Sequence, residues 1–156
     1  MKITSCSLLA AILFNGAATT AIAQLPTGPD LIVSQSVFAE LKKTDGFYRL
    51  QFEVRNAGNT EAGVANVALA LYQSADKLWD AQDLQINGRL PVSAAPLPPN
   101  RSAEGVLSGR LQFQGAANYA KMRKKTPYLL LVADPFFRLD EMDETNNVRV
   151  MALPPM

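Results

Sequence analysis

Residues 128–153 read YLLLVADPFFRLDEMDETNNVRVMAL and carry the strongest fold signal in the sequence. Two apolar runs rich in β-type residues, YLLLVA at 128–133 and NVRVMAL at 147–153, flank an acidic loop at 134–146 that ends in asparagine. Apolar runs of this length, bounded by turn residues, are typical of buried strands. The stretch therefore predicts two paired strands at the centre of a β-sandwich, with Val148 and Val150 facing inward.

The upstream sequence carries further strand signals, and residues 47–55 (FYRLQFEVR) are the clearest of them. Apolar and polar residues alternate strictly there, which predicts a strand with one face buried and one face in water. The four residues expected to face inward are Tyr48, Leu50, Phe52 and Val54. Residues 30–38, 63–72 and 105–113 are also predicted to be strands, with Val67, Leu69 and Leu71 facing inward in the second of them. The alanines at 62, 65, 68 and 70 would also permit a helix at 63–72, but the β-type neighbours and the length of the segment favour a strand.

Two connections complete the predicted architecture. Asn87-Gly88 is a dipeptide that favours a two-residue hairpin turn, and it predicts that residues 83–86 pair with residues 89–92. Pro91 cannot donate to a ladder, so its strand is expected at a sheet edge. Residues 115–125 are rich in alanine and end in basic residues, which indicates a short helical turn between the two sheets. The prediction is an all-β protein, an immunoglobulin-like antiparallel β-sandwich of seven or eight strands.

The N-terminus has the pattern of a secretory signal peptide. A basic start at Lys2, the apolar run SLLAAILF at 7–14 and the small residues at 21–23 predict cleavage before Gln24. We expect residues 1–23 to be the signal peptide, 24–28 an irregular leader, 29–153 the sandwich and 154–156 a tail. The expected location is the periplasm or the outside of a bacterial cell, without membrane insertion after the signal peptide is removed.

Composition narrows the expected function. The sequence contains no histidine, and its one cysteine, Cys6, lies in the predicted signal peptide, so thiol nucleophiles and thiolate metal sites are not expected after cleavage. The chain has 15 basic and 14 acidic residues, and loss of Lys2 with the signal peptide makes the two numbers equal. A balanced charge supplies no global field for nucleic acid, so no nucleic-acid partner is predicted.

Four short blocks of this sequence resemble the bacterial cell-adhesion-related domain family called CARDB. The blocks are Pro29–Leu31 (PDL), Val54–Asn59 (VRNAGN), Val132–Pro135 (VADP) and Asp143–Asn147 (DETNN). The resemblance implies an immunoglobulin or fibronectin-III-like sandwich that acts as an adhesion or protein-interaction module, and it implies little chemistry. The sequence departs from the family pattern at 79–101, which is expanded, and at 115–125, which is long.

The loops at 56–60 and 134–146 are expected at the same end of the sandwich, because each follows one of two strands that run in the same direction. One hypothesis gives their polar residues a structural role, in which the side chains hydrogen-bond backbone groups and hold the loops. The residues assigned this role are Asn56, Asn59, Asp134, Asn146 and Asn147. Asp140, Glu141, Asp143 and Glu144 would then form a solvated tip, paired with Arg138 or Arg149.

The alternative hypothesis is a Ca²⁺ site at this end, with Asp140, Asp143 and Glu144 as ligands. Carboxylate and amide oxygens are the ligands that Ca²⁺ prefers, and the ion takes roughly 6–8 of them. The loop lacks the glycine and the ligand spacing of an EF-hand. Asp140 and Glu144 could in principle work as an acid–base pair, but an open charged loop offers nothing that would raise a pKa, so no enzyme is predicted.

Aromatic residues supply the candidate contacts. Within the polar loop, one ring of Phe136 and Phe137 is expected to close the end of the core and the other to contact a partner. Trp79 is expected in the core, with an aromatic binding patch shared with Tyr72 and Tyr48 as the alternative. The predicted function is an exported, non-enzymatic module that presents loops or an edge strand to an unidentified protein or polymer of the cell envelope or surroundings. A calcium-stabilised structural domain is the alternative, and no other cofactor is expected.

Overall fold

Two antiparallel sheets face each other in the computed structural model, which describes residues 26–63, 68–87, 90–93 and 95–155. The predicted signal peptide lies outside the described residues. The described elements are β1 (Leu31–Leu41), β2 (Phe47–Asn56), β3 (Ala68–Ser74), β4 (Leu84–Gln85), β5 (Leu90–Pro91), β6 (Ser102–Arg110), α1 (Ala116–Lys125), β7 (Tyr128–Ala133) and β8 (Val148–Ala152).

The first sheet has three strands in the order β1-β2-β6, and the second has the order β4-β3-β7-β8 with β5 also beside β3. All pairings are antiparallel. Helix α1 connects β6 of the first sheet to β7 of the second. The prediction of an all-β, immunoglobulin-like sandwich with a short helical turn between its sheets is confirmed. Within the described residues, no helix is long and apolar enough to cross a bilayer.

The core lies between the sheets, and strand β2 shows how the sequence builds it. Tyr48, Leu50, Phe52 and Val54 are buried, as their alternation predicts, while the residues between them are exposed or half-buried. Strands β3 and β7 differ because they are covered on both faces. Leu69 and Leu71 pack into the core, whereas Ala70 and Tyr72 belong to a second apolar cluster on the outer face of the five-stranded sheet. Each large side chain buried in this way stabilises the fold by about 1.5–3 kcal/mol before the entropic cost of ordering it.

The predicted hairpin at Asn87-Gly88 is wrong. Strands β4 and β5 both pair with β3, at Tyr72↔Gln85 and Leu69↔Leu90, so they follow each other along the same edge and do not pair with one another. Asn87 explains the interruption between them, because its side-chain oxygen accepts a hydrogen bond from the Leu71 N–H at 3.0 Å and thereby replaces a backbone acceptor. The β3 edge needs partners along its length, and this requirement outweighs the local turn preference. Pro91 lies in an edge strand, as expected.

The residues of β8 that face the core also differ from the prediction. Val148 and Val150 pack on the outer face with the second cluster, while Met151 enters the core. The register decides this, because Met151 lies opposite Leu129, whose side chain faces the other sheet. An apolar run whose two faces are both covered carries no periodicity that could distinguish them.

The bounds of two strands differ from the predicted ones. Strand β6 ends at Arg110, so Leu111 and Phe113 follow the strand and still pack in or against the core. In the predicted strand 63–72, residues 64–67, including Val67, lie outside the described residues, and β3 begins at Ala68.

Candidate functional site

The loop after β2 is held by Asn56, which is fully buried. Its side-chain oxygen accepts hydrogen bonds from the N–H groups of Asp30 (3.1 Å) and Gly58 (3.0 Å). Its amide nitrogen donates to the carbonyls of Thr60 (2.8 Å) and Leu97 (2.9 Å). One side chain therefore joins its own loop to the residue before β1 and to the proline-rich segment that precedes β6, and it satisfies four backbone groups, two of them in buried bonds.

Asn59 and Gly58 fix the same loop against the start of the domain. The Asn59 side-chain oxygen accepts from the Gly28 N–H at 3.0 Å, and the Asn59 N–H donates to the Gly28 carbonyl at 3.0 Å. Gly58 permits this close approach, because a Cβ atom there would overlap the Gly28 carbonyl oxygen and lie 2.6 Å from the Pro29 carbonyl carbon. The glycine is thus required by packing against residues 28–30.

Asp134 organises the turn that follows β7. It is buried and has a left-handed backbone, with φ 39°. Its carboxylate accepts hydrogen bonds from the N–H groups of Arg138 (2.6 Å) and Leu139 (2.7 Å). The turn drives Leu139 into the end of the core and leaves Phe136 and Phe137 outside, with 47% and 60% of their surfaces exposed. The expectation that one of the two phenylalanines closes the core is therefore wrong, since Leu139 fills that position.

Glu141 was expected in the solvated tip, but it is half-buried and bonds other segments of the domain, which corrects that expectation. Its Oε2 accepts a hydrogen bond from the Leu31 N–H, and its Oε1 accepts one from the Asn147 amide at 3.1 Å. Burial raises the pKa of this carboxyl to about 7, against the opposing effect of the Leu31 hydrogen bond, and the neighbouring Glu144 and Asp134 carboxylates add to the rise. No local pattern identifies Glu141, because its partner Leu31 lies 110 residues away in the chain.

Asp30 brings the two loops together at one end of the sandwich. Its N–H donates to Asn56, and its Oδ1 accepts from the Asn146 amide at 2.9 Å. The Met142 N–H also donates to the Pro29 carbonyl at 2.9 Å. The five residues proposed for a structural role, Asn56, Asn59, Asp134, Asn146 and Asn147, thus all hydrogen-bond backbone or side-chain groups near this end. We call this network, together with Glu141, the polar clasp.

The three candidate Ca²⁺ ligands do not converge. Asp143 Oδ1 accepts from the backbone N–H and the hydroxyl of Thr145, and these bonds lower the pKa of its carboxyl. Glu144 accepts from the Glu141 N–H at 3.1 Å, and Asp140 is exposed. In the part of the chain that the structure describes, no three His, Cys, Asp or Glu side chains form a group that could hold a metal ion. Calcium binding by this loop stays a prediction.

The ion pairs predicted between the loop-tip carboxylates and Arg138 or Arg149 are not found among the described residues. The ion pairs found among the described residues are Lys42–Glu40 and Arg110–Asp45, both at the opposite end of β2. Arg138 instead lies over the ring of Phe136, 5.7 Å from its centroid. The loop tip is therefore organised by hydrogen bonds to its own backbone more than by charge pairing.

Trp79 lies outside the core, which corrects the expectation made for it. It is half-buried on the outer face of the five-stranded sheet, where its ring centroid is 5.6 Å from that of Tyr72 and 5.7 Å from that of Phe137. Tyr48 does not share this surface, because it is buried between the sheets. Burial raises the pKa of the Tyr72 hydroxyl, and the Asp83 carboxylate acts in the same direction. We call Tyr72, Trp79 and Phe137 the aromatic row.

Comparisons with known proteins agree with this architecture. The family model of CARDB matches residues 28–151. The solution NMR structure of a CARDB domain from Pyrococcus furiosus is similar, with a TM-score of 0.51 and 13% identity over 80% of this chain and 93% of that one. A crystal structure of that domain in complex with di-metal ions has a TM-score of 0.46 and 13% identity over 81% of this chain and 93% of that one. A search of curated proteins finds no match. Because the family model spans most of the sequence, the protein belongs to the CARDB family.

Proposed function

We propose that this protein is an exported, non-enzymatic interaction module of the adhesion type, which presents its 134–146 loop to a protein or polymer of the cell envelope. The single observation that carries the proposal is that the polar and the aromatic side chains of this loop are placed differently. Most of its polar side chains hydrogen-bond groups of the domain itself, while Phe136 and Phe137 are left exposed. Membership of the CARDB family supports the same type of function.

A loop held in this way suits recognition. The polar clasp fixes the loop backbone from both sides, so little conformational entropy remains to be lost when a partner binds. Large exposed apolar side chains next to one another are typical of contact surfaces, and aromatic residues are enriched at such surfaces. The left-handed backbone at Phe137, with φ 49°, supports a functional reading, because a bulky residue adopts this conformation only when its surroundings impose it.

The carboxylates of the loop support a non-enzymatic role. Asp134, Asp143 and Glu144 accept hydrogen bonds from backbone N–H groups of the same loop. A carboxylate that accepts hydrogen bonds from its own backbone has a structural role, whereas acid–base catalysis needs a group free to exchange a proton with a substrate. Export is inferred from the signal-peptide pattern at residues 1–23.

Export is tested by expressing the full chain in a bacterial host and fractionating the cells. We expect the protein outside the cytoplasm, with an N-terminus at Gln24 by sequencing. The control is a variant with Ala21→Arg and Ala23→Arg, which removes the small residues of the cleavage site and should leave the precursor uncut. A full-length N-terminus in the cytoplasmic fraction of the unmodified protein would contradict export.

Presentation by the loop is tested by capture from a cell-envelope fraction on the immobilised mature domain. We expect a retained protein or polymer that is lost with the double variant Phe136→Ser/Phe137→Ser. The matched control is Val37→Ser, which removes an apolar residue that is 58% exposed on the three-stranded sheet, and which should leave capture unchanged. Equal capture by all three proteins would contradict a role of this loop.

A further inference from the structure

An open cleft of about 470 Å³ lies on the outer face of the five-stranded sheet, beside the acidic loop. Its apolar wall is the aromatic row, and its polar residues are Asp80, Asp83 and Gln85. The volume lies in the range of small-molecule sites, about 300–1,000 Å³. The cleft therefore combines flat aromatic surface with hydrogen-bonding side chains in a space that one or two small rings could fill.

Contacts within the domain hold the apolar wall in place. Tyr72 is anchored in β3 and packs within the second apolar cluster, and Trp79 packs against it. Phe137 reaches Trp79 from the loop because its backbone is left-handed and its N–H donates to the Asp134 carbonyl at 3.0 Å. A wall of this kind needs little rearrangement to accept a ligand, which favours binding.

The polar side of the cleft is a turn whose backbone N–H groups hydrogen-bond its own carboxylates. Asp83 Oδ2 accepts from the Asp80 N–H at 3.0 Å, and Asp80 Oδ1 accepts from the Gln82 N–H at 2.7 Å. Each of these bonds uses one oxygen of a carboxylate that has two, so each side chain keeps further acceptor capacity. Gln85 donates its amide nitrogen to the Asn87 carbonyl at 2.8 Å, which leaves the amide oxygen as the atom able to meet a ligand donor.

We propose that this cleft binds a neutral carbohydrate, as found in cell-surface polysaccharides, with the apolar face of a sugar ring on Trp79 and Phe137 and its hydroxyls donating to Asp80 and Asp83. The proposal rests on the proposed interaction function and names the ligand class for it. A sugar ring has both features that the cleft complements: a C–H face that packs on an aromatic ring, and hydroxyl donors around its edge. Two carboxylates at the rim disfavour an acidic polysaccharide through like-charge repulsion.

The arrangement of the rings argues against a quaternary ammonium ligand. Such a cation is bound best when aromatic faces surround it. Here neighbouring ring centroids lie 5.6 and 5.7 Å apart, so the rings contact one another as a row and leave no enclosed space between them. A row offers a continuous surface for a flat ligand, and a sugar ring fits it.

The sequence supplies its own probe, because Trp79 is the one tryptophan in the chain. Its fluorescence is titrated with four neutral hexasaccharides, of β-1,4-glucose, β-1,4-N-acetylglucosamine, β-1,4-mannose and β-1,4-xylose, and separately with polygalacturonate and choline. We expect saturable change with at least one neutral oligosaccharide and none with polygalacturonate. Saturation by choline alone, or no response to any neutral oligosaccharide, overturns the carbohydrate assignment.

Substitutions of the lining residues test whether the ligand binds in this cleft. Phe137→Ala and Asp83→Asn should weaken the fluorescence titration by about fivefold or more, the size expected for loss of one aromatic or hydrogen-bonded contact. Trp79→Ala, which removes the fluorophore, should abolish retardation in gels containing the responding polysaccharide. The matched control is Val106→Ala, which removes an exposed apolar side chain from β6 in the other sheet, away from the cleft, and should bind normally. Circular dichroism of each variant checks that it is folded.

Two outcomes separate this proposal from the broader function. If Phe137→Ala abolishes envelope capture while no sugar binds, the interaction function stands and the carbohydrate assignment falls. If a sugar binds equally to wild type, Phe137→Ala and Trp79→Ala, binding lies elsewhere and this cleft is refuted as the site.

Discussion

Glu141→Gln is the substitution that tests the polar clasp most directly. In the folded protein the ionised side chain accepts hydrogen bonds from Leu31 and Asn147 in a half-buried position. Glutamine keeps an oxygen for the Leu31 N–H and removes the charge. It also supplies a donor for the buried Asn147 side-chain oxygen, which has no partner among the described residues, if the Asn147 amide rotates by half a turn.

The direction of the pH effect follows from the raised pKa. The Glu141 carboxyl titrates at about 7 in the folded protein and at its ordinary value of 4.5 when unfolded, so the folded state binds the proton more tightly. The stability associated with this proton is therefore complete below pH 4.5 and is lost as pH rises through the folded pKa. A shift from 4.5 to about 7 corresponds to about 3 kcal/mol at full effect. Because the side chain is partly in contact with solvent, screening reduces our expectation to about 1–2 kcal/mol.

The assay is urea unfolding of the mature domain at pH 5.5 and pH 8, followed by circular dichroism. Because pH 5.5 already lies above the unfolded pKa, this interval covers a little more than half of the full effect, and we expect wild type to lose about 0.5–1 kcal/mol of stability more than Glu141→Gln across it. The variant should be the more stable protein at pH 8. The control is Glu104→Gln, which removes an exposed carboxylate from β6 in the other sheet and should follow wild type. A Glu141→Gln variant that keeps the wild-type pH dependence, or that is less stable than wild type at pH 8, would contradict the effect assigned to burial of this carboxyl.

Three further predictions test the same end of the domain. Asn56→Ala should lower the free energy of unfolding by about 3–4 kcal/mol in urea, because it leaves buried backbone partners unsatisfied; a loss below about 1 kcal/mol would contradict the assigned bonds. Gly58→Ala should cost about 2–3 kcal/mol, because the new Cβ overlaps the backbone of Gly28, and a variant as stable as wild type would show that the contact is loose. Calorimetry in EDTA and in Ca²⁺ should give the same melting temperature; a rise with Ca²⁺ that Asp140→Asn and Asp143→Asn abolish would instead establish the calcium-stabilised domain.

Much of the fold could be predicted from the sequence because its strongest signals are local. The strict alternation of β2 reports one buried face, since successive side chains of a strand point to opposite sides. Asn56 and Asp134 could be singled out for a similar reason. Asn56 ends β2 and Asp134 directly follows β7, and at such points the chain must reverse and short polar side chains can bond the freed backbone groups.

The strand segments and the loops held by polar residues could be found in the sequence, because they depend on each segment's own periodicity and turn chemistry. The neighbour that covers each face and the distant group that meets each side chain depend instead on how the whole chain packs. Glu141 depends on Leu31, the Asn87 side chain depends on the free edge of β3, and Trp79 finds its place on an outer face through Tyr72 and Phe137. These contacts join segments that are far apart in the chain, and no local pattern encodes the partner.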